Sequence, residues 1–378
     1  MKLKNNLWKF IVLVLVILGI AAGAFFIGRN NGKISAEKVF QEERDLNIRL
    51  KRAELEQIKL VDGPIYVIGH KAPDSDTVCS SIAYANLLRE LGYDAQAAVQ
   101  GPVNHETAYI LETAGVEVPP LLEETAGKNI VLVDHSEYAQ SADDLKDANI
   151  ISIIDHHGVG SVTTGNQLIY DARPLGGTCT IIWMRYRDYG VEITPSIATL
   201  LLGGFLSDTA NLRPTSATAA DTEAYKALGA ISDVKDLNAF YQEMYKASIS
   251  YKGMSDEEIF RSDMKLYDTA GRSYAIAVVN AYDDAAAEDY AQRMKTLMPD
   301  LIEPLGVDMI IAQVSIYHDD ISKTYLVGGN TLTDEVLAAA FPDRAVFDGT
   351  SYVLEPGISR KSVLVPAITE VLSAHPTE

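Results

Sequence analysis

The sequence predicts an α/β chain: a doubly wound, mainly parallel sheet domain followed by a smaller C-terminal α/β domain. Three observations predict it. Apolar runs of strand length, Ile65-Tyr66-Val67-Ile68, Ile130-Val131-Leu132-Val133 and Ile150 to Ile154, alternate with longer helix-like segments. Each run leads into an acid or an imidazole, namely His70, Asp134 and Asp155. A second block of the same alternation starts after residue 250. Buried parallel strands read as continuous apolar runs, and sites in open α/β sheets form outside the carboxyl ends of the strands.

The elements follow in order. Residues 1–9 form a basic tail with Lys2, Lys4 and Lys9, and Phe10 to Gly28 is 19 residues without a charge. As a helix, residues 10–28 would be roughly 28 Å long, about one bilayer core. The segment therefore predicts a transmembrane helix and a single-pass N-terminal anchor. A cleaved signal peptide ending near Ala22-Gly23-Ala24 is the weaker reading, because the apolar run continues through Phe25-Phe26-Ile27. Basic residues flank both sides almost equally, which leaves the side of the catalytic domain open. Residues 29–62 read as a charged helical spacer, with Val39, Leu46, Leu50 and Ala53 near one face as the seam of a short coiled coil or the dry side of a solvated helix. Asp62-Gly63-Pro64 ends it.

Residues 63–248 make the first domain. Strands are expected at 65–69, 93–99, 130–133 and 150–154, and helices at Thr77–Leu91, Asn104–Thr113, 141–147, Thr178–Tyr189 and Pro195–Leu206. The second domain, 249–378, follows a junction at Tyr241 to Ile249. Its expected strands are Tyr274–Val279, Met309–Ile316 and Thr324–Val327, with helices near 283–297 and 333–340.

Charge narrows the partners. Residues 1–60 carry 11 Lys and Arg against 6 Asp and Glu, leaving 21 against 46 beyond them. A body so acidic repels phosphate backbones, so no nucleic-acid partner is expected. A small anion can still bind where metal ions and a few cations reverse the local sign. Cys79 and Cys179 are too few for a disulfide framework.

The chemistry concentrates in His70, Asp74, Asp76, Asp134, Asp155, His156, His157 and Asp208. Singly these residues say little. A histidine after a strand is an ordinary hydrogen-bonding group, and Asp74-Ser75-Asp76-Thr77 can be read wholly as helix capping. Capping does not call for two adjacent imidazoles, nor for a histidine four residues before an aspartate. Together they predict a metal site, and a donor set of His and Asp without Cys suits Mn²⁺ better than a thiolate zinc centre.

His70-Lys71-Ala72-Pro73-Asp74-Ser75-Asp76, Val133-Asp134-His135, Asp155-His156-His157, Ser207-Asp208-Thr209 and Ser359-Arg360-Lys361 occur in that order. Over roughly residues 64–370 the chain resembles the DHH phosphoesterases and, among them, the manganese-dependent (family II) inorganic pyrophosphatases. The Ser-Arg-Lys element narrows the resemblance, and the Gly-Gly-His element of the nuclease and cyclic-dinucleotide branches is absent. The resemblance implies an active site in the cleft between the domains, where a metal-bridged hydroxide hydrolyses pyrophosphate to two phosphates. His70, Asp74 and Asp134 would hold one divalent ion; Asp76, Asp134, His156 and Asp208 would hold the second. Mn²⁺ is the expected metal, with Co²⁺ as an alternative and Mg²⁺ arriving with substrate. His157, Asp74 and Asp134 would be the catalytic set, His157, Lys246, Arg360 and Lys361 the substrate contacts, and Asp155 and His135 supports behind the ligands. The resemblance also implies a homodimer through an edge of the first domain. Three departures stand out: Ser136 in place of Asn, Ser362 in place of a second Lys, and Asn211-Leu212-Arg213-Pro214-Thr215 lacking the usual Ser before Pro-Thr. The alternatives are a short-chain polyphosphatase or other DHH phosphoesterase and, from another class, a non-catalytic membrane-anchored metal or phosphate binder.

Overall fold

The computed structural model describes residues 37–56, 62–317 and 321–374. The chain divides between Met244 and Tyr245 into two units, each with its own sheet and core. The expected boundary lay at 248/249, a few residues further along the same helix.

The membrane expectation is corrected here. The segment 10–28 lies outside the described residues, as does the tail 1–9. Among the described residues no helix is long and apolar enough to cross a membrane. The apolar helix Pro195–Asp208 has 14 residues, about 21 Å at 1.5 Å per residue against a hydrocarbon core of about 30 Å. The single-pass anchor is not carried further.

Helix α1 spans 37–54. Leu55, just beyond it, is buried, and the Arg52 guanidinium donates from Nε to the Tyr189 carbonyl at 2.8 Å. Ile48 lies so close to Gly190 that a Cβ there would come within 2.8 Å of it. The stripe read from the sequence, Val39, Leu46, Leu50 and Ala53, is exposed instead. The residues that dock the helix fall on its other side.

The first unit continues with β1 (Ile65–Ile68), α2 (Ser75–Glu90), β2 (Ala95–Ala98), α3 (His105–Ala114), β3 (Asn129–Val133), β4 (Asn149–Asp155), β5 (Ile169–Ala172), α4 (Thr178–Tyr189), α5 (Pro195–Asp208) and α6 (Ala219–Gly229). Helix α7 (Leu237–Ser248) leads across the division. The sheet order is β2-β1-β3-β4-β5 with every pairing parallel. The winding reverses between β1 and β3, where an open sheet of this order leaves its crevice.

Alternation along the strands splits the core. Val67, Val131 and Val133 join the large cluster that takes in α2, α4 and α5, while Ile68, Ile130 and Leu132 face a smaller one with Leu145 and Leu122. Helix α2 is buried along most of its length, which is why it carries so few charges. The helix expected at 141–147 is absent: a short 3₁₀ turn covers Leu145–Asp147. The Asp144 carboxylate turns back to accept from the backbone N–H groups of Thr125 and Ala126, at 2.9 Å each, which a continuing helix would not allow.

The second unit contains α8 (Asp256–Ser262), β6 (Met264–Thr269), β7 (Arg272–Ala281), α9 (Asp284–Leu297), α10 (Ile302–Leu305), β8 (Met309–Tyr317), β9 (Ile321–Gly328), α11 (Thr331–Ala340), β10 (Val346–Phe347), β11 (Tyr352–Leu354) and α12 (Val365–Ala374). Its mixed sheet runs β10-β11-β9-β8-β7-β6, with β7 and β8 parallel. Helix α9 packs on one face and α11 with α12 on the other. Gly357 permits a close crossing: a Cβ there would lie 2.9 Å from the Ile321 carbonyl, and its N–H donates to Ser322 O at 3.0 Å. That crossing sets the start of Ser359-Arg360-Lys361.

Candidate metal centre

Six of the predicted residues meet in the first unit. His70 follows β1, and Asp74 and Asp76 open α2. Asp134 follows β3, His156 follows β4, and Asp208 is the last residue of α5. Two sets of ligand atoms result, each lying within 4.8 Å of one another: His70, Asp74 and Asp134, and Asp76, Asp134, His156 and Asp208.

Asp134 belongs to both sets, and its two oxygens divide between them. Oδ2 lies 3.6 Å from His70 Nε2, and Oδ1 lies 3.4 Å from His156 Nε2. The side chain is 1% exposed. Its backbone has φ of 63°, a left-handed conformation rare outside glycine and commonest for Asp and Asn among the rest. The kink at the end of β3 is what turns this carboxylate between two imidazoles. Thr77 Oγ1 donates to Oδ2 at 2.7 Å and Thr178 Oγ1 to Oδ1 at 3.1 Å. Burial alone would raise this carboxyl; the His156, His70 and Thr77 contacts outweigh it and hold it well below the ordinary range.

His70 Nε2 also lies 3.3 Å from Asp74 Oδ2, while Asp74 Oδ1 caps α2 by accepting from Thr77 N–H at 2.9 Å. His156 Nε2 also lies 3.2 Å from Asp208 Oδ2. Its Nδ1 donates to the Leu175 carbonyl at 3.0 Å, so the neutral ring presents its lone pair from Nε2. That Nε2 is buried and makes no hydrogen bond. Burial lowers the pKa of both imidazoles, but the carboxylates beside them prevail and push His70 up to about 10 and His156 up to about 11. Burial pushes the Asp76 carboxyl well up, as do Asp134 and Asp208 nearby, and burial likewise raises Asp208. Three clustered carboxylates and an imidazole nitrogen that makes no hydrogen bond form a nest that suits a divalent cation. All its donors are N or O. Cys79 and Cys179 are buried free thiols outside both sets, so the chemistry matches Mn²⁺ better than a thiolate site.

Asp76 is 0% exposed and sits at the start of α4, accepting from Thr178 N–H at 2.5 Å and Cys179 N–H at 3.0 Å. A helix N-terminus offers such donors to a carboxylate. The approach needs glycine: a Cβ on Gly204 of α5 would lie 2.9 Å from Asp76 Oδ1.

His157 takes a different part. Its Nδ1 donates to Asp155 Oδ1 at 3.0 Å, and its backbone N–H donates to the same oxygen at 3.0 Å. A third grouping, Asp134, His156 and His157, overlaps the other two, but His157 Nδ1 is 3.8 Å from Asp134 and committed to Asp155. The ring is 57% exposed. The Asp155 hydrogen bond raises its pKa. Asp155 Oδ2 accepts from Ser136 Oγ at 3.2 Å, and Ser136 Oγ accepts from Gly160 N–H at 2.9 Å. His135 is buried between Val133 O at 3.0 Å and Ser141 Oγ at 2.6 Å, stands edge-on to His70, and has its pKa lowered by burial.

The three predicted cations belong to the second unit. Arg360 donates to Asp263 O at 2.6 Å and Asp263 Oδ1 at 2.7 Å. Lys361 is exposed, and the Lys246 ammonium lies 4.6 Å from the centre of the Tyr282 ring. The sequence reading missed Thr77 and Thr178, which hold Asp134. Thr77 lies inside the Asp-Ser-Asp-Thr motif, and Gly176-Gly177 before Thr178 marks a close approach of backbone.

Residues 64–205 match the DHH family, N-terminal domain, and residues 242–371 match the DHHA2 domain. A Methanocaldococcus jannaschii protein named manganese-dependent inorganic pyrophosphatase is 34% identical over 311 residues, covering 80% of this chain and 97% of that protein. The chain belongs to the family of DHH manganese-dependent inorganic pyrophosphatases. A Clostridium acetobutylicum protein named for the same activity is 32% identical over 311 residues, covering 82% of this chain and 98% of its own. A Methanococcus jannaschii crystal structure described as a family II inorganic pyrophosphatase covers 82% of this chain and 99% of its own, with a TM-score of 0.50 and 33% identity. Members of this family are hydrolases, and among the described residues the Asp and His groups above could hold a metal ion.

Proposed function

We propose that this chain hydrolyses inorganic pyrophosphate to two phosphates with the help of two divalent ions, Mn²⁺ by preference. The observation that carries the reading is Asp134, one buried carboxylate whose two oxygens face the imidazoles of two different donor sets. His70, Asp74 and Asp134 would hold one ion, and Asp76, Asp134, His156 and Asp208 the other. When bound, such ions supply Lewis-acid stabilisation of phosphoryl charge and a nucleophile at neutral pH.

The chain's own residues do the rest. Asp155 fixes a proton on His157 Nδ1 and favours the protonated ring. Nε2 then carries the proton that can pass to the departing phosphate, the task of a general acid. Arg360, Lys361 and Lys246 are the cations for the phosphate oxygens. Arg360 suits this by its planar fork of donors and Lys361 by its point charge. The Arg360 guanidinium is already paired with Asp263, so binding phosphate requires it to share or leave that acid.

Phosphate release from pyrophosphate and tripolyphosphate, and p-nitrophenolate release from the diester bis-p-nitrophenyl phosphate, measured on the full chain with and without Mn²⁺, test the reading. Mn²⁺-dependent turnover of pyrophosphate above the other two is expected. A metal-loaded protein that leaves pyrophosphate intact would refute it.

A further inference from the structure

Glu106 is a largely buried acid that the proposed chemistry does not use. It lies in the first turn of α3, where a carboxylate suits the helix N-terminus. Its partners go beyond that. Glu106 Oε2 accepts from Ser75 Oγ at 3.0 Å and from Ser207 Oγ at 2.8 Å. Ser75 stands between Asp74 and Asp76 at the start of α2, and Ser207 immediately precedes Asp208 at the end of α5. A single oxygen thus ties together the two backbone segments that carry three of the four candidate carboxylates. Its own backbone is fixed: Asn104 caps α3 by accepting from Thr107 N–H at 2.8 Å, and Thr107 Oγ1 lies 3.1 Å from Ser75 Oγ. Asp74 and Asp208 act on Glu106 as like charges.

We propose that Glu106 is a positioning residue for both metal sets, setting the distance between the start of α2 and the end of α5 through the two serine hydroxyls. The inference rests on the reading that these sets hold metal. It requires no contact between Glu106 and an ion; the effect passes through Asp74, Asp76 and Asp208.

Equilibrium dialysis of the full chain against Mn²⁺, without substrate, tests it. Wild-type protein is expected to take up two ions. Glu106→Ala should weaken both by about 10- to 100-fold, the range for groups that orient metal ligands. Glu106→Gln keeps an acceptor oxygen in the same place and should restore most of the affinity. Ser207→Ala, which removes one arm only, should weaken the ion at Asp76 and Asp208 and spare the other; if Glu106→Ala fails to fold, this variant decides. Wild-type affinity in Glu106→Ala, or in Ser207→Ala, would overturn the inference. So would Glu106→Gln as weak as Glu106→Ala, because the charge would then matter and not the alignment. Wild-type protein that takes up no Mn²⁺ would overturn the pyrophosphatase reading itself, and the inference with it.

Discussion

Asp134→Asn is the sharpest perturbation of the centre. Asn tolerates the left-handed backbone that Asp134 adopts at φ of 63°, so the end of β3 keeps its course. The side chain also keeps its size in a site that is 1% exposed. What is lost is one negative charge shared by two donor sets, together with one oxygen facing either His70 or His156. Attraction between unit charges about 4 Å apart is about 4 kcal/mol at an effective dielectric of 20; the second charge on a divalent ion doubles this attraction and is set against the ion's own loss of hydration, so the unit-charge figure is kept as the scale. At about 1.4 kcal/mol per factor of ten, that is about a thousandfold in affinity, and it applies to each ion. Dialysis against Mn²⁺, with stoichiometry read by metal analysis, should show both affinities falling together. Asp208→Asn, which touches one set only, should weaken one ion and leave the other. If Asp134→Asn keeps one ion at wild-type affinity, the shared-carboxylate reasoning is wrong.

Three further outcomes are expected. Asp155→Asn removes the first cause of the raised His157 pKa; His157 should then lose its proton at lower pH, and the alkaline fall of kcat should move to lower pH, so an unmoved alkaline limb would exclude His157 as the acid. Gly204→Ala places a Cβ 2.9 Å from Asp76 Oδ1, and overpacking of this kind costs about 1–3 kcal/mol against a helix-propensity gain of about 1 kcal/mol; a melting temperature above wild type in the metal-free protein would contradict the tight fit. Arg360→Ala should raise KM by about 10- to 100-fold, the loss of a charge-assisted hydrogen bond, with Mn²⁺ affinity unchanged; normal Michaelis behaviour would rule out the phosphate contact.

The parts of the fold that sequence alone made legible are those where burial and period agree. Asn129–Val133 is buried at every position, and it reads as a strand from its apolar run. Ile169–Ala172 and Met264–Thr269 are half-exposed strands of mixed polarity, and no run of apolar residues announces them. Residues 141–147 have helical composition, but Asp144 finds backbone donors at Thr125 and Ala126, a partner invisible to any local reading. The same divide runs through the site. His70, Asp74 and Asp76 lie within seven residues, so their joint chemistry can be seen in the string of letters. The grip of Thr178 N–H on Asp76 spans 102 residues, and that of Thr178 Oγ1 on Asp134 spans 44. Only the folded sheet brings such groups together.

The sequence left capping and metal binding as rival accounts of Asp74-Ser75-Asp76-Thr77, and the geometry makes them parts of one arrangement. A carboxylate has two oxygens and about four lone-pair directions. Asp74 gives Oδ1 to the first turn of α2 and turns Oδ2 to His70. Asp134 takes a threonine hydroxyl on each oxygen and still faces an imidazole with each. Asp76 accepts the N-terminal amides of α4 while standing among Asp134, His156 and Asp208. In each case donors from the fold fix the acid's rotamer before any ion arrives, so an incoming cation meets ligands already aimed. The same donors stabilise the ionised acids that would otherwise repel one another. Capping residues at the mouths of β1 and β3 are therefore what a preorganised metal nest requires, and removing a threonine or serine that no ion touches should cost metal affinity almost as surely as removing a ligand.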